Sequence, residues 1–337
     1  MDVLSEILKT VHLKGALFFN GRFSAPWKIA SPAAASVAPI FGVGAEHLII
    51  YHLVTEGRAY ASFEEREQIP LAAGDILIFP HGHAHLLGNG SCDAFLDTGE
   101  ALPQILAQKL KEMSFGGGGD VTRFVCGFMA CDRLTVQPLL TSLPPVLKIN
   151  IRNRDSGKWL EDSIRFSVRE AENSTAGSGA LLTRLSEVLF LEAIRRFMDL
   201  LPAEEKGWLA GSRDAVVGHS LMLLHQSPMH PWTIADLAKK VGVSRSTLAQ
   251  RFTDYLGEPP MKYLADWRMR LAVRSLTSTS RSVLEIALEV GYESEAAFSR
   301  AFKRRYGSPP ALYRKASRMS RAPLQEQEQA VDSGRAA

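Results

Sequence analysis

The sequence predicts an α+β chain of two domains, a β-barrel followed by an all-α domain, and three observations carry that prediction. At 337 residues the chain exceeds the usual size of one domain, and a hydrophobic content of 46% is ample for buried cores. The hydrophobic pattern changes along the chain, from short runs of β type to helical spacing. The charge is divided as well. Residues 1–210 hold 20 Lys+Arg against 24 Asp+Glu, residues 211–321 hold 18 against 9, and residues 322–337 hold one against three. These balances of −4, +9 and −2 make up the chain's +3. A basic C-terminal module beside a mildly acidic one is what a phosphate backbone selects when only one half meets it.

The first stretch, residues 2–13, places Val3, Leu4, Ile7, Leu8 and Val11 on one side and predicts a short amphipathic helix. From Ala16 to about Val136 the runs are short and broken by Gly and Pro: residues 17–19, 48–54, 59–63, 76–79 and 123–128. Many short strands at close intervals predict a sandwich or small barrel. Residues 172–179 are a polar linker. Beyond it Leu181, Leu182, Leu185, Val188, Leu189, Ala193 and Phe197 form an apolar stripe at helical spacing. Two placements suit that helix: a dimer interface, or packing on its own barrel. A further helix is expected over Asp214 to His225, and Thr233 with Asp236 makes a capping pair.

Residues 233–313 contain one helical unit twice. The first copy runs Leu237, Ala238, Val241, Gly242, Ser244, Leu248, Phe252, Gly257, Pro259, Pro260, Tyr263. The second runs Ile286, Ala287, Val290, Gly291, Ser294, Phe298, Phe302, Gly307, Pro309, Pro310, Tyr313. The offset is 49 up to the glycine and 50 from the serine onward, so the second turn is one residue longer. In each copy a short helix ends at a glycine suited to the left-handed conformation. A serine then caps a second helix. Leu248 and Phe252, at i and i+4, must face inward, which leaves Arg245, Ser246, Ala249, Gln250 and Thr253 outside. The second copy turns Glu295, Ala296, Ser299, Arg300 and Lys303 outward. This is the helix-turn-helix pattern, and such a helix fits a major groove about 12 Å wide. Arg245, Ser246, Gln250, Glu295, Ser299 and Arg300 are the candidates for base contact. Thr253, Lys262, Lys303 and Arg304 are the candidates for phosphate contact.

The matched spacing covers about a hundred residues. Its carriers are Ile234 to Phe252, then Glu258 to Leu264 leading to Trp267-Arg268-Met269, then Ile286 to Ser294, then Phe298 to Arg304 with Gly307, Pro309, Pro310 and Tyr313. In these residues the segment resembles the DNA-binding domain of the AraC/XylS family of bacterial transcription regulators. The resemblance implies two helix-turn-helix units bridged by one long helix, here Pro260 to Leu276, reading successive major-groove segments of one DNA face. Ser246 and Ala249 are smaller than the contact residues of the best-known members, which shifts base reading by the first unit onto Arg245 and Gln250. Upstream, Pro70 to Pro80 followed by His81-Gly82-His83-Ala84-His85 resembles a cupin second motif. With Trp27, the strand end His52 to Gly57 and Cys126-Gly127, residues 5–175 look like the cupin-type effector domain found ahead of such DNA-binding domains. The expected division is a cupin-like domain over 1–175, a linker and candidate dimerisation helix over 176–205, the double helix-turn-helix domain over 206–318 and a disordered tail over 319–337.

Trp27, His52, His83 and His85 are the candidates for an effector pocket. His81, His83 and His85 alternate, so a continuous strand would put all three on one face. His52, His83, His85 and Cys126 would then offer nitrogen and sulfur to a divalent metal. Pro80 and Gly82 argue for a turn instead, which leaves a metal-free pocket or packed histidines as the alternative. The early His-x-His of the cupin metal pattern is missing. The run Gly116 to Gly119 lacks the Gly-Lys-Ser/Thr of a phosphate loop, and no Gly-x-Ser-x-Gly is present. No catalytic residue is assigned, and the function expected is effector-controlled, sequence-specific DNA binding rather than catalysis. A cupin metalloenzyme of dioxygenase or isomerase type with an appended DNA-binding domain is the alternative. Cys92, Cys126 and Cys131 lack a metal-type spacing and fit a reducing compartment, and no apolar run is long enough for a membrane, so a cytoplasmic location is expected. The partners expected are double-stranded promoter DNA, a small-molecule effector, RNA polymerase and a second copy of the chain.

Overall fold

A computed structural model describes residues 4–6, 14–41, 47–64, 68–91, 96–108, 110–173, 175–202 and 204–317. Most of the helix expected over 2–13, Cys92 and the tail beyond 318 lie outside them. The chain divides into two compact units, one of residues 13–131 with 143–201, the other of 1–12, 132–142 and 202–337.

The first unit contains β1 (Lys14–Ser24), β2 (Trp27–Ser31), α1 (Ala34–Val37), β3 (His47–Glu56), β4 (Arg58–Ser62), β5 (Ile69–Ala72), β6 (Asp75–Phe79), β7 (His85–Asn89), β8 (Leu96–Asp97), α2 (Thr98–Ala107), β9 (Met113–Gly116) and β10 (Val121–Cys131). Next in the chain comes α3 (Arg133–Leu140), which belongs to the second unit. The first unit resumes with β11 (Leu147–Asn150), α4 (Asp155–Glu172) and α5 (Ser178–Leu200). The strands form a six-stranded sheet in the order β11-β6-β3-β10-β1-β9 and a five-stranded sheet in the order β5-β4-β7-β2-β8. In the larger sheet β10 pairs antiparallel with both β1 and β3, in a register that sets Cys126 beside His52.

Residues 48–55 of β3 are all buried, so this strand has no polar side. Its even-numbered residues face the core, where Val54 joins Phe19, Phe23, Trp27, Phe63, Phe79 and Phe124. The opposite face is covered by α5, which approaches β1 closely. A Cβ on Gly15 would meet the Ser186 Cβ at 2.7 Å and Met129 Sδ at 2.9 Å. Tyr51 donates to Ser186 Oγ at 2.7 Å, and a Cβ on Gly127 would run into the Tyr51 hydroxyl. Helix α5 therefore packs on its own barrel through Leu182, Leu185, Leu189 and Ala193. Residues 178–200 belong to the barrel unit rather than to a separate linker.

In the second unit α6 (Trp208–Arg213), α7 (Ala215–Gln226), α8 (Ile234–Val241), α9 (Arg245–Leu256), α10 (Pro260–Ser278), α11 (Val283–Glu289) and α12 (Glu295–Tyr306) follow one another. The caps are those the sequence predicts. Thr233 accepts from the Asp236 amide, Ser244 from Thr247 and Ser294 from Ala297. Gly242 takes φ +78° at the end of α8. The second copy inserts its additional residue between the end of α11 and Ser294, with Val290 as C-cap and Gly291 at φ +81°. There the positive φ favours glycine, and a Cβ would also lie 3.0 Å from the Met229 Cα, a tight approach to backbone. Helix α3 departs from the expected domain boundaries. Its Leu134 packs against the cluster of Met269, Leu276, Ile286, Phe298 and Phe302, and Ser142 Oγ accepts from the Trp208 amide at 2.8 Å.

Candidate DNA-binding face and effector site

Helices α9 and α12 each bury two residues of the repeated pattern, Leu248 with Phe252 and Phe298 with Phe302. Arg245, Ser246 and Gln250 are exposed on α9, and Glu295, Arg300, Lys303 and Arg304 on α12, while Thr253 and Ser299 are half-buried. Arg245, Arg300, Lys303 and Arg304 form no ion pair with the described residues. Their charge is therefore available to an external anion. The exposed residues of α12 include one acid, Glu295, against four bases, of which only Arg305 has a carboxylate partner among the described residues. Other candidates are engaged within the chain. Gln250 donates to Asp254 Oδ1 at 2.7 Å, Ser246 shares a hydrogen bond of 2.9 Å with Ser244, and Lys262 pairs with Glu258 at 2.9 Å.

In the barrel the effector candidates form one run of rings. Trp27 packs on Phe124 at 5.5 Å, Phe124 meets His52 edge-on at 6.5 Å, His52 meets His85 at 4.9 Å, and His85 stacks on Phe79 at 3.7 Å. Phe63 links Phe79 to His83, with centroids 5.9 Å and 5.0 Å away. The polar atoms within this run are chained. His52 Nδ1 lies 2.7 Å from Cys126 Sγ, His52 Nε2 lies 2.7 Å from His85 Nε2, and His85 Nδ1 donates to the His83 carbonyl at 2.8 Å. That last bond fixes the proton on His85 Nδ1, so His52 donates from Nε2 and accepts the Cys126 thiol proton at Nδ1. Every member of the chain is neutral. Burial, and then the neighbouring His85, pushes His52 well below the ordinary histidine value; burial pushes His85 down to about 4 and the Cys126 thiol upward. Trp27 Nε1 and His83 Nδ1 are buried without a hydrogen-bond partner among the described residues.

These residues do not fit a divalent metal. The two nitrogens of His52 point away from each other, one toward Cys126 and one toward His85, so a single ion cannot take both neighbours together with His52. His83 enters the chain through its carbonyl rather than its ring. Among the described residues no group of three or more His, Cys, Asp or Glu side chains is arranged to hold a metal.

A family model described as Cupin matches residues 2–199, and one described as Helix-turn-helix domain matches residues 237–316. The putative AraC-like transcription regulator of Streptomyces antibioticus is 31% identical over 317 residues, covering 93% of this chain and 97% of that protein. The chain belongs to the AraC family of transcription regulators. A second relative, the HTH-type transcriptional regulator AlkR of Acinetobacter baylyi, is 27% identical over 94% of this chain and 100% of its own length. Among solved structures, the DNA-binding domain of AdpA in complex with a target DNA is 30% identical over 32% of this chain and 97% of that one, with a TM-score of 0.31.

Three other basic residues of this AraC-family chain are held by partners within it. Arg251 forks onto Asp214, the N-cap of α7, at 2.6 to 3.0 Å. Arg268 donates to the Pro228 and His230 carbonyls, and Arg305 pairs with Asp266 at 3.3 Å. These three hold the fold. Among the described residues no helix is long and apolar enough to cross a membrane.

Proposed function

We propose that this AraC-family chain is a sequence-specific promoter-binding regulator controlled by a small molecule in its barrel. The observation that carries the DNA half is the pair of serine-capped helices α9 and α12, with Arg245, Arg300, Lys303 and Arg304 exposed and unpaired among the described residues. Arg300 reads a base edge, and Lys303 and Arg304 hold phosphates. Two recognition helices in one unit suit sites about one DNA turn apart, ~10 bp. For the effector, the Trp27 Nε1 donor and His83 Nδ1 have no hydrogen-bond partner among the described residues and stand at the two ends of the aromatic run. No catalytic role falls to the barrel. The protein acts in the cytoplasm as a homodimer, with RNA polymerase as the partner at the promoter. Support for the dimer comes from the exposed apolar side chains of α4 and α5, with Trp159 62% exposed, Phe166 53%, Leu181 46% and Val188 44%.

The test is a binding panel with single-base variants of a selected operator. Arg300→Ala should lower discrimination at one position by about 1–3 kcal/mol. Lys303→Ala should weaken binding to every sequence and reduce the salt slope by about 0.9. Equal losses from both changes on all sequences would refute this assignment.

A further inference from the structure

Outside the barrel interior, the first unit has a cleft of about 320 Å³ bounded by Asn20, Thr55, Glu112, Arg123, Val125, Arg165, Val168, Arg169 and Glu172. We infer that this cleft is a second ligand site and that it takes a small organic monocarboxylate. This goes beyond the DNA-binding reading and beyond the effector site among the aromatic rings.

The charges decide the class of ligand. Three arginines and two glutamates line the cleft, a balance of +1. Arg123 is satisfied within the chain, since it pairs with Glu56 and donates from Nε to Glu112 Oε2 at 3.1 Å. Glu172 Oε1 accepts from Asn20 Nδ2 at 2.9 Å and from the Glu112 amide at 3.2 Å, which fixes the wall of the cleft. Arg165 and Arg169 are not satisfied in this way. They sit one turn apart on α4, where like charges repel. The nearest carboxylate to Arg165 is Glu161 at 3.8 Å, already held by Arg152 at 2.6 Å, and Arg169 forms no ion pair with the described residues. Two adjacent guanidinium forks with unused donors are suited to a planar carboxylate. Val125 and Val168 supply an apolar floor for its hydrocarbon part. Glu112 and Glu172 on the wall repel a second negative charge, which disfavours a dianion such as inorganic phosphate. At about 30 Å³ for each water-sized group, the space suits a ligand of roughly ten non-hydrogen atoms. Such a ligand would join β10, through Arg123 and Val125, to the last turns of α4.

The experiment is calorimetric titration of the full chain with hexanoate, its uncharged isostere hexanamide and inorganic phosphate. Hexanoate should bind about tenfold or more tightly than either alternative, as loss of charge-assisted bonds requires. The double variant Arg165→Gln with Arg169→Gln should lose about tenfold or more in hexanoate affinity. Its operator affinity should match that of the parent, which certifies the fold and separates this site from the DNA-binding reading. The inference is overturned if hexanoate gives no binding, if hexanamide or phosphate binds as well, or if the double variant keeps the parent's affinity.

Discussion

Lowering the pH from 7 to 4 should loosen the barrel through the two buried histidines, and the size of the effect follows from their surroundings. His85 is 4% exposed, stacked on Phe79 and bonded to His52, and its folded value lies at about 4 against an ordinary 6.5. The unfolded chain therefore takes up a proton as pH falls through 6.5 while the folded chain refuses it until about 4. Stability is complete above 6.5 and is lost across that window, in the direction linkage requires for a depressed histidine. For His85 alone the loss is about 3 kcal/mol, or two decades in the opening equilibrium, and His52 adds to it in the same direction. The measurement is hydrogen exchange of peptides covering residues 47–56 and 121–131 in the full chain, corrected for intrinsic rates. In His85→Gln, which keeps an acceptor for His52, protection should fall by about two decades less between pH 7 and pH 4. Parallel loss in the parent and the variant would show that the buried imidazoles do not govern acid sensitivity.

Two further outcomes are expected. Ser294→Ala removes the cap that accepts from the Ala297 amide at 3.3 Å and should cost the helical unit about 1 kcal/mol, seen as a lower calorimetric midpoint. Ser246→Ala, which removes no cap, should change the midpoint by less than about 0.5 kcal/mol equivalent. If the proposed dimer forms through α4 and α5, replacing Trp159 and Phe166 together by serine should give a monomer in sedimentation equilibrium without unfolding it, because both side chains already face solvent. An unchanged mass in the variant would refute this face as the proposed dimer contact.

The helical unit was largely legible in the sequence because its signals are local and doubled. Glycine, serine and the i, i+4 hydrophobic pairs recur at a fixed offset, and each capped helix is where that pattern puts it. The barrel's strands were legible as short apolar runs, but its side-chain chemistry was not. Alternation of His81, His83 and His85 implies a shared face only on one strand, and Gly82, at φ +66°, turns the chain between the first two. His85 then starts β7 in the five-stranded sheet, while His52 lies on β3 in the six-stranded one, a pairing set by contacts distant in sequence. The attachment of α3 to the helical unit is likewise a tertiary fact, since Leu134 carries nothing to say which core it will join. Nor could spacing tell Arg251 or Arg305, paired with Asp214 and Asp266, from Arg300, because a carboxylate partner 37 or 39 residues away leaves no periodic mark.

The bond between His52 and His85 is a seam between two sheets, and a seam responds to what is pushed beneath it. A guest wedged between those rings must part them and hand each Nε2 a substitute partner, or leave both Nε2 atoms unpaired among hydrocarbon. The barrel would then report occupancy as a change in the gap between β3 and β7, a mechanical quantity that guests of differing outline could produce equally well.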